Sequence, residues 1–316
     1  MKKSEKVMRK GTNPILLSVA RMIQSIPPFF LTWIEFLISK NKSNIFPIIF
    51  IISPPRSGST ITYQILNRAT RSLYLSNIWN LLYALPFIGG KYTKDMSTNK
   101  DFKSDRGLVS GLSGESEGMK FWNYWMGQDL EERENIVPEK RLKYLKSVFS
   151  TLLTKDKPMI SSYLGHAFSV DFLRKNFPGC MFVYLKRDEM SNIYSMIRTY
   201  KEFDKNRKNF NWMSLKPIGW KDNIEEEVTD KVLWQYKSIK QKIESEISEE
   251  DTIIVDYEDI CNNPHKFLKQ IQEFAKEHEI DLQLYLENIP DSFHVSKINR
   301  DKDELAKKIS QLLNEK

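Results

Sequence analysis

At 316 residues with 41% hydrophobic content, the chain suits one large α/β domain with additions or two small domains, and can fill a real core. The 48 Lys and Arg against 41 Asp and Glu leave a net charge of +7, which suits a polyanionic small molecule or an anionic membrane surface. Both signs are spread along the chain with no dense basic run, which speaks against nucleic-acid binding. The two cysteines, Cys180 and Cys261, read as small core residues in a reducing compartment, and the four histidines have no metal-ligand spacing, so no metal is expected.

The N-terminal stretch is basic and polar. From Pro14 to Lys40 the chain is apolar but interrupted by Arg21, Gln24, Pro27, Pro28 and Glu35. It lacks the uncharged run of about 18 residues that a spanning helix needs. No small-residue cleavage site is clear, which argues against a signal peptide. Two readings stay open. One is a pair of short helices packed on the domain. The other is an amphipathic element in peripheral contact with the cytoplasmic membrane face, with Lys2, Lys3, Lys6, Arg9 and Lys10 beside anionic lipid. Residues 1–44 therefore read as an extension, residues 45–316 as the main domain, and the expected location is cytoplasmic.

An apolar, β-branched run over residues 45–52 stops at Ser53-Pro54-Pro55, and Arg56-Ser57-Gly58-Ser59-Thr60 follows. Helical spacing starts at Ile61 and Ile65. This pattern predicts a buried strand, a tight turn and a helix N-terminus. Such a turn presents unpaired backbone N–H groups, and the helix dipole favours an anion there. Gly58 permits close backbone approach, Ser59 and Thr60 bring hydroxyls, and Arg56 brings a fixed positive fork. The stretch is not a Walker A loop, which needs an earlier glycine and a lysine after the last one.

Residues 70–90 are apolar and aromatic and are expected to end at Gly89-Gly90. Residues 91–118 read as a long connection, of a length that is often a lid. It holds Glu115 and Glu117 just before Phe121, Trp122, Tyr124 and Trp125. The spacing then predicts a helix over 142–153, a short strand over 159–163 with His166 following it, and a helix over 168–177. Residues 180–187 form a second clear buried strand ending in Arg187, with Asp188 as N-cap of the next helix. Ser195 lies eight residues beyond Arg187, where that helix aims it back at the same ligand. A guanidinium with a hydroxyl donor is what a phosphate monoester wants. An amphipathic helix over 229–247, a strand over 251–260, a helix opened by Asn263-Pro264 and a last charged helix complete the chain. Repeated strand-turn-helix units imply an α/β fold with a central parallel sheet flanked by helices.

Together, "PPRSGST" and "RDEMSNIYS" resemble the phosphate-binding motifs of sulfotransferases that use 3′-phosphoadenosine 5′-phosphosulfate (PAPS). The first is similar to the family's 5′-phosphosulfate loop, in the version with Arg before Ser-Gly. The second is similar to its 3′-phosphate junction, with Glu189 where the family often has Pro. Weaker similarity runs on through the helix bearing Trp234 and through "TIIVDYEDICNNP", so that the likeness covers about Ile45 to Glu277. Tyr257, Glu258 and Asp259 read as structural links at a strand end.

The resemblance implies a P-loop-type three-layer fold and sulfuryl transfer from PAPS to a hydroxyl of a carbohydrate, lipid or small molecule, without a metal. It implies that Arg56, Ser57, Gly58, Ser59 and Thr60 hold the 5′-phosphosulfate, with Arg56 also neutralising the leaving phosphate. Arg187 and Ser195 would hold the 3′-phosphate, and Lys297 and Arg300 are further candidates for it from the tail. For the base, His166 comes first, because cytosolic and several bacterial members carry a histidine at about that place. Glu117 is its rival, because carbohydrate and protein-tyrosine members use Glu. The Lys that many members carry shortly before the histidine is missing from Ser161-Ser162-Tyr163. The competing functions are a P-loop small-molecule kinase and a non-catalytic, membrane-associated nucleotide-binding protein.

Overall fold

The structure is a computed structural model and describes residues 45–94, 102–104, 107–206, 212–224, 227–295, 298 and 303–314, with a few positions between 18 and 31. Most of the stretch from Pro14 to Lys40, together with Lys297 and Arg300, lies outside the described residues. Among the described residues no helix is long and apolar enough to cross a membrane.

Five strands form one sheet: β1 (Ile48–Ile52), β2 (Leu73–Tyr74), β3 (Met159–Ser162), β4 (Met181–Lys186) and β5 (Thr252–Asp256). Their order is β2-β3-β1-β4-β5 and every pairing is parallel. β1 lies at the centre and is buried along its whole length, as expected of a strand covered on both faces. Its side chains alternate between two cores. Ile48, Phe50 and Ile52 join Phe182 and Tyr184 in one, while Ile49 and Ile51 join Met181, Val183 and Leu185 in the other.

The second core is closed by α1 (Ser59–Thr70). The first is closed by helices that arrive later: α4 (Met119–Met126), α5 (Glu139–Leu152) and α6 (Val170–Asn176). Between them, α2 (Asn77–Leu81) and α3 (Pro86–Lys94) follow β2. The chain thus leaves β1 with α1 on one face and reaches β4 with α6 on the other. That reversal places the loops after β1 and β4 side by side at the carboxyl ends of the strands, where open α/β sheets form a crevice.

The later elements are α7 (Glu189–Asn206), α8 (Val228–Glu246), α9 (Tyr257–Asn262), α10 (Pro264–Glu277) and α11 (Glu304–Asn314). Both expected caps form. Asp188 Oδ2 accepts from Ser191 N–H at 2.9 Å, and Asn263 Oδ1 accepts from Lys266 N–H at 2.9 Å.

Two expectations need correcting. The strand expected over 251–260 stops at Asp256, and Tyr257 begins a helix. The β5 burial pattern is mixed, with Ile254 exposed, and the strand lies at the edge of the sheet. The apolar stretch does not end at Gly89-Gly90, since α3 runs through both glycines. A Cβ at Gly89 would sit 2.2 Å from the Trp79 ring, so this glycine serves close packing rather than a turn. The aromatic cluster before residue 126 is core, with Phe121, Trp122 and Trp125 fully enclosed by α5 and the sheet.

Candidate active site

The turn between β1 and α1, which we call the cradle, is built from two left-handed residues. Arg56 has φ +68° and Gly58 has φ +94°. For Arg56 this conformation is uncommon and is the kind of strain found at ligand-binding turns. For Gly58 it is easy, and space also dictates the residue: a Cβ there would lie 2.2 Å from the Tyr257 ring. Gly58→Ala is expected to destabilise the protein by about 2 kcal/mol or more, read as a lowered thermal midpoint.

The Ser57 side chain is fully buried, and its hydroxyl is committed inside the loop. It donates to the Pro54 carbonyl at 2.9 Å and accepts from Asn192 Nδ2 at 2.7 Å. Any contact that Ser57 makes with an anion therefore runs through its backbone. Asn192 was not singled out by sequence reasoning. Its position on α7, three residues before Ser195 and so on the same helix face, was the available signal.

The two clusters read separately from sequence are joined. Arg56 Nε donates to Ser195 Oγ at 3.3 Å across 139 residues of chain. Arg187 Nη1 donates to the Arg56 carbonyl at 2.8 Å across 131 residues. The Arg187 guanidinium lies 4.9 Å from the centre of the Tyr257 ring, and its Nε is 4.0 Å from Glu258 Oε1. That Nε makes no hydrogen bond among the described residues, which leaves a buried donor for an oxyanion. Beside this junction opens a cavity of about 170 Å³, bordered by Pro54, Ser57, Arg187, Asp188, Lys240 and Asp256. Ser59 and Thr60 stand half-buried at the first turn of α1.

The two base candidates sit in different surroundings. His166 is fully buried, in a short 3-10 helix over Leu164–Phe168. Its Nε2 is hydrogen-bonded with Ser161 Oγ at 2.9 Å and its Nδ1 with Gln128 Oε1 at 3.1 Å. The rings of Phe50, Trp122 and Tyr163 pack edge-on around it. Burial holds its pKa down to about 3, so the imidazole stays neutral. Both ring nitrogens are occupied, and the geometry is that of a core histidine rather than a group facing a substrate.

Glu117 is half-buried and lies beside the cradle. A side chain built on Gly107 would stand 3.3 Å from Thr60 Oγ1 and 3.9 Å from Glu117 Oε1, so these two groups flank one small space. Burial pushes the Glu117 carboxyl up to about 7. Glu115, two residues earlier, is buried and points elsewhere: its Oε1 pairs with Arg68 Nε at 3.4 Å.

A profile described as the Sulfotransferase family matches residues 47–280. The chain belongs to the sulfotransferase family. Solved sulfotransferases give distant structural matches. STF9 from Mycobacterium avium matches at 16% identity and a TM-score of 0.49, over 94% of this chain and 80% of that one. STF1 from Mycobacterium tuberculosis H37Rv matches at 13% identity and 0.47, over 85% and 79%. Mouse SULT7A1, solved in complex with PAP, matches at 13% identity and 0.34, over 88% and 69%. No curated protein matches. Family membership makes the chain a transferase of sulfuryl groups. The matched residues run from the start of β1 into the chain just beyond α10, and so include the cradle, Glu117, Arg187 and Ser195.

Proposed function

We propose that this sulfotransferase moves a sulfuryl group from PAPS to a hydroxyl of an acceptor, with Glu117 rather than His166 as the base. The observation that carries the reading is the Arg56–Ser195 hydrogen bond, which brings the β1–α1 and β4–α7 junctions side by side. The residues fit the ligand in kind. Two arginines meet at the turn, where Arg187 donates to the Arg56 carbonyl, and the Arg187 Nε is an unspent donor. The β1–α1 turn, with Ser59 and Thr60, takes the 5′-phosphosulfate end. Arg187 and Ser195 take the 3′-phosphate end.

Sulfuryl transfer spreads negative charge over the sulfuryl and bridging oxygens, and fixed donors stabilise it without reorganising. Here those donors are the Arg56 guanidinium, the α1 N-terminus and the hydroxyls of Ser59 and Thr60. Glu117 accepts the proton of the acceptor hydroxyl. A base with a pKa of about 7 is matched to that task at neutral pH. The acceptor hydroxyl enters the space between Thr60 and Glu117.

The test is transfer of label from ³⁵S-PAPS over a panel of carbohydrate, lipid and phenolic acceptors. Labelled product is expected with at least one hydroxyl class. Magnesium-dependent turnover of ATP in place of PAPS would overturn the reading.

A further inference from the structure

The buried charge pair between Arg68 and Glu115 plays no part in holding the anion. Both residues are nearly inaccessible, and they come from elements 47 residues apart. The Arg68 guanidinium also lies 4.0 Å from the Phe102 ring centre. Glu115 Oε2 accepts no hydrogen bond among the described residues. A buried pair of this kind is weak evidence for stability, because desolvation offsets much of its attraction; registry is the better-attested use.

The geometry supplies a register. Thr60, Gln64 and Arg68 follow one another at a spacing of four on α1 and so share a stripe. From Thr60 to Arg68 that stripe is about 12 Å long. The chain at 115–117 runs the opposite way, with Glu115 beside Arg68 and Glu117 near Thr60. Two residues of chain reach at most about 7 Å, and the side chains span the rest. The helix that begins at the cradle therefore also carries the anchor for the segment bearing the base.

We propose that the Arg68–Glu115 pair is a positioning device that fixes Glu117 beside Thr60 at the mouth of the cradle. The inference rests on Glu117 being the base. A competing anchor exists in the backbone. Ser116 N–H donates to the Leu75 carbonyl at 2.8 Å, Tyr74 Oη donates to the Ser113 carbonyl at 2.8 Å, and Asn77 Nδ2 donates to the carbonyls of Val109 and Gly111. These bonds tie the segment to the end of β2 but leave the Glu117 side chain unspecified. The titratable groups around the pair are Tyr63 and Tyr74, and the group facing Glu117 is Tyr163, which also feels Asp129. Burial holds all three phenols neutral, and Glu115 or Glu117 reinforces this, so no phenol titrates in the range where Glu117 does.

The test reads Glu117 directly and needs no acceptor. Protein labelled with ¹³C at glutamate carboxyls is titrated by NMR, and the Glu117 signal is assigned by its loss in Glu117→Gln. In the wild type it is expected to titrate near pH 7. The double variant Arg68→Met/Glu115→Gln removes both charges without orphaning either. It is expected to fold, to bind 3′,5′-ADP within about twofold of the wild type, and to shift the Glu117 titration down toward the ordinary value of about 4.3 as the side chain meets water. Arg68→Lys keeps the charge and is expected to shift it part of the way, which provides a reading should the double variant not fold. A Glu117 signal still titrating near 7 in either folded variant would overturn the positioning role and leave the backbone bonds as the anchor. A wild-type signal titrating near 4.3 would instead overturn the reading of Glu117 as base.

Discussion

Replacing Glu117 with Gln is expected to lower turnover by about 10²–10⁴-fold, the range a positioned general base supplies. The amide keeps the shape of the carboxylate but accepts no proton. Affinity for 3′,5′-ADP should stay within about twofold, because Glu117 belongs to the space beside Thr60 and not to the arginine cluster. In the wild type, kcat should fall on the acid side of about pH 7, since a protonated Glu117 cannot act.

The same substitution should make the protein more stable in alkaline solution. The folded-state pKa of Glu117 is raised above its unfolded value, so the folded protein favours the protonated form. The stability linked to that form is complete below about pH 4 and is lost as pH rises through about 7. At pH 8 the wild type carries a half-buried carboxylate that Gln replaces with a neutral group. A gain of about 2 kcal/mol is expected, after discounting for the partial exposure of the site. Chemical denaturation of both proteins at pH 5 and pH 8 checks it: the difference should appear mainly at pH 8. His166 variants are the control. Loss of its two hydrogen bonds and its aromatic packing should lower stability while leaving the acid limb of the rate profile in place.

The second large effect concerns the cradle. Arg56→Ala with Arg187→Ala is expected to weaken 3′,5′-ADP binding by about 10²–10⁴-fold, taking roughly 1.5–3 kcal/mol for each charge-assisted contact. Calorimetric titration measures it. The two losses should not add, because Arg187 donates to the Arg56 carbonyl and each helps set the other's position. Either single change is therefore expected to recover a large part of the double effect. Tight 3′,5′-ADP binding that survives the double change would remove both arginines from the site.

Local pattern carried a good part of this reading. The apolar run of β1, the prolines that stop it and the Gly58 turn lie within a few residues of one another, and so do the β4 strand, Arg187 and the Asp188 cap. Each is set by nearest-neighbour chemistry, which a sequence displays directly. The parallel order followed from repeated strand-turn-helix units, and the sheet has it. β2 went unnoticed because two residues give no periodicity to read.

Other features depend on chain that is distant in sequence. The alternation within 251–260 could not show that β5 would lie at the sheet edge and give way to a helix at Tyr257. Gly89 reads as a helix stop until the Trp79 ring is seen against it. The surroundings of His166 and Glu117 are of the same kind. The sequence by itself determined that a glycine-bearing strand-to-helix turn, a second arginine-serine junction and a small set of candidate bases would be present. Only the tertiary structure decided that Phe50, Trp122 and Tyr163 enclose His166, and that Glu115 pairs with Arg68 while Glu117 stands near Thr60. Burial is set by contacts across tens of residues, and it moves a pKa from its ordinary value to about 3 in one case and about 7 in the other.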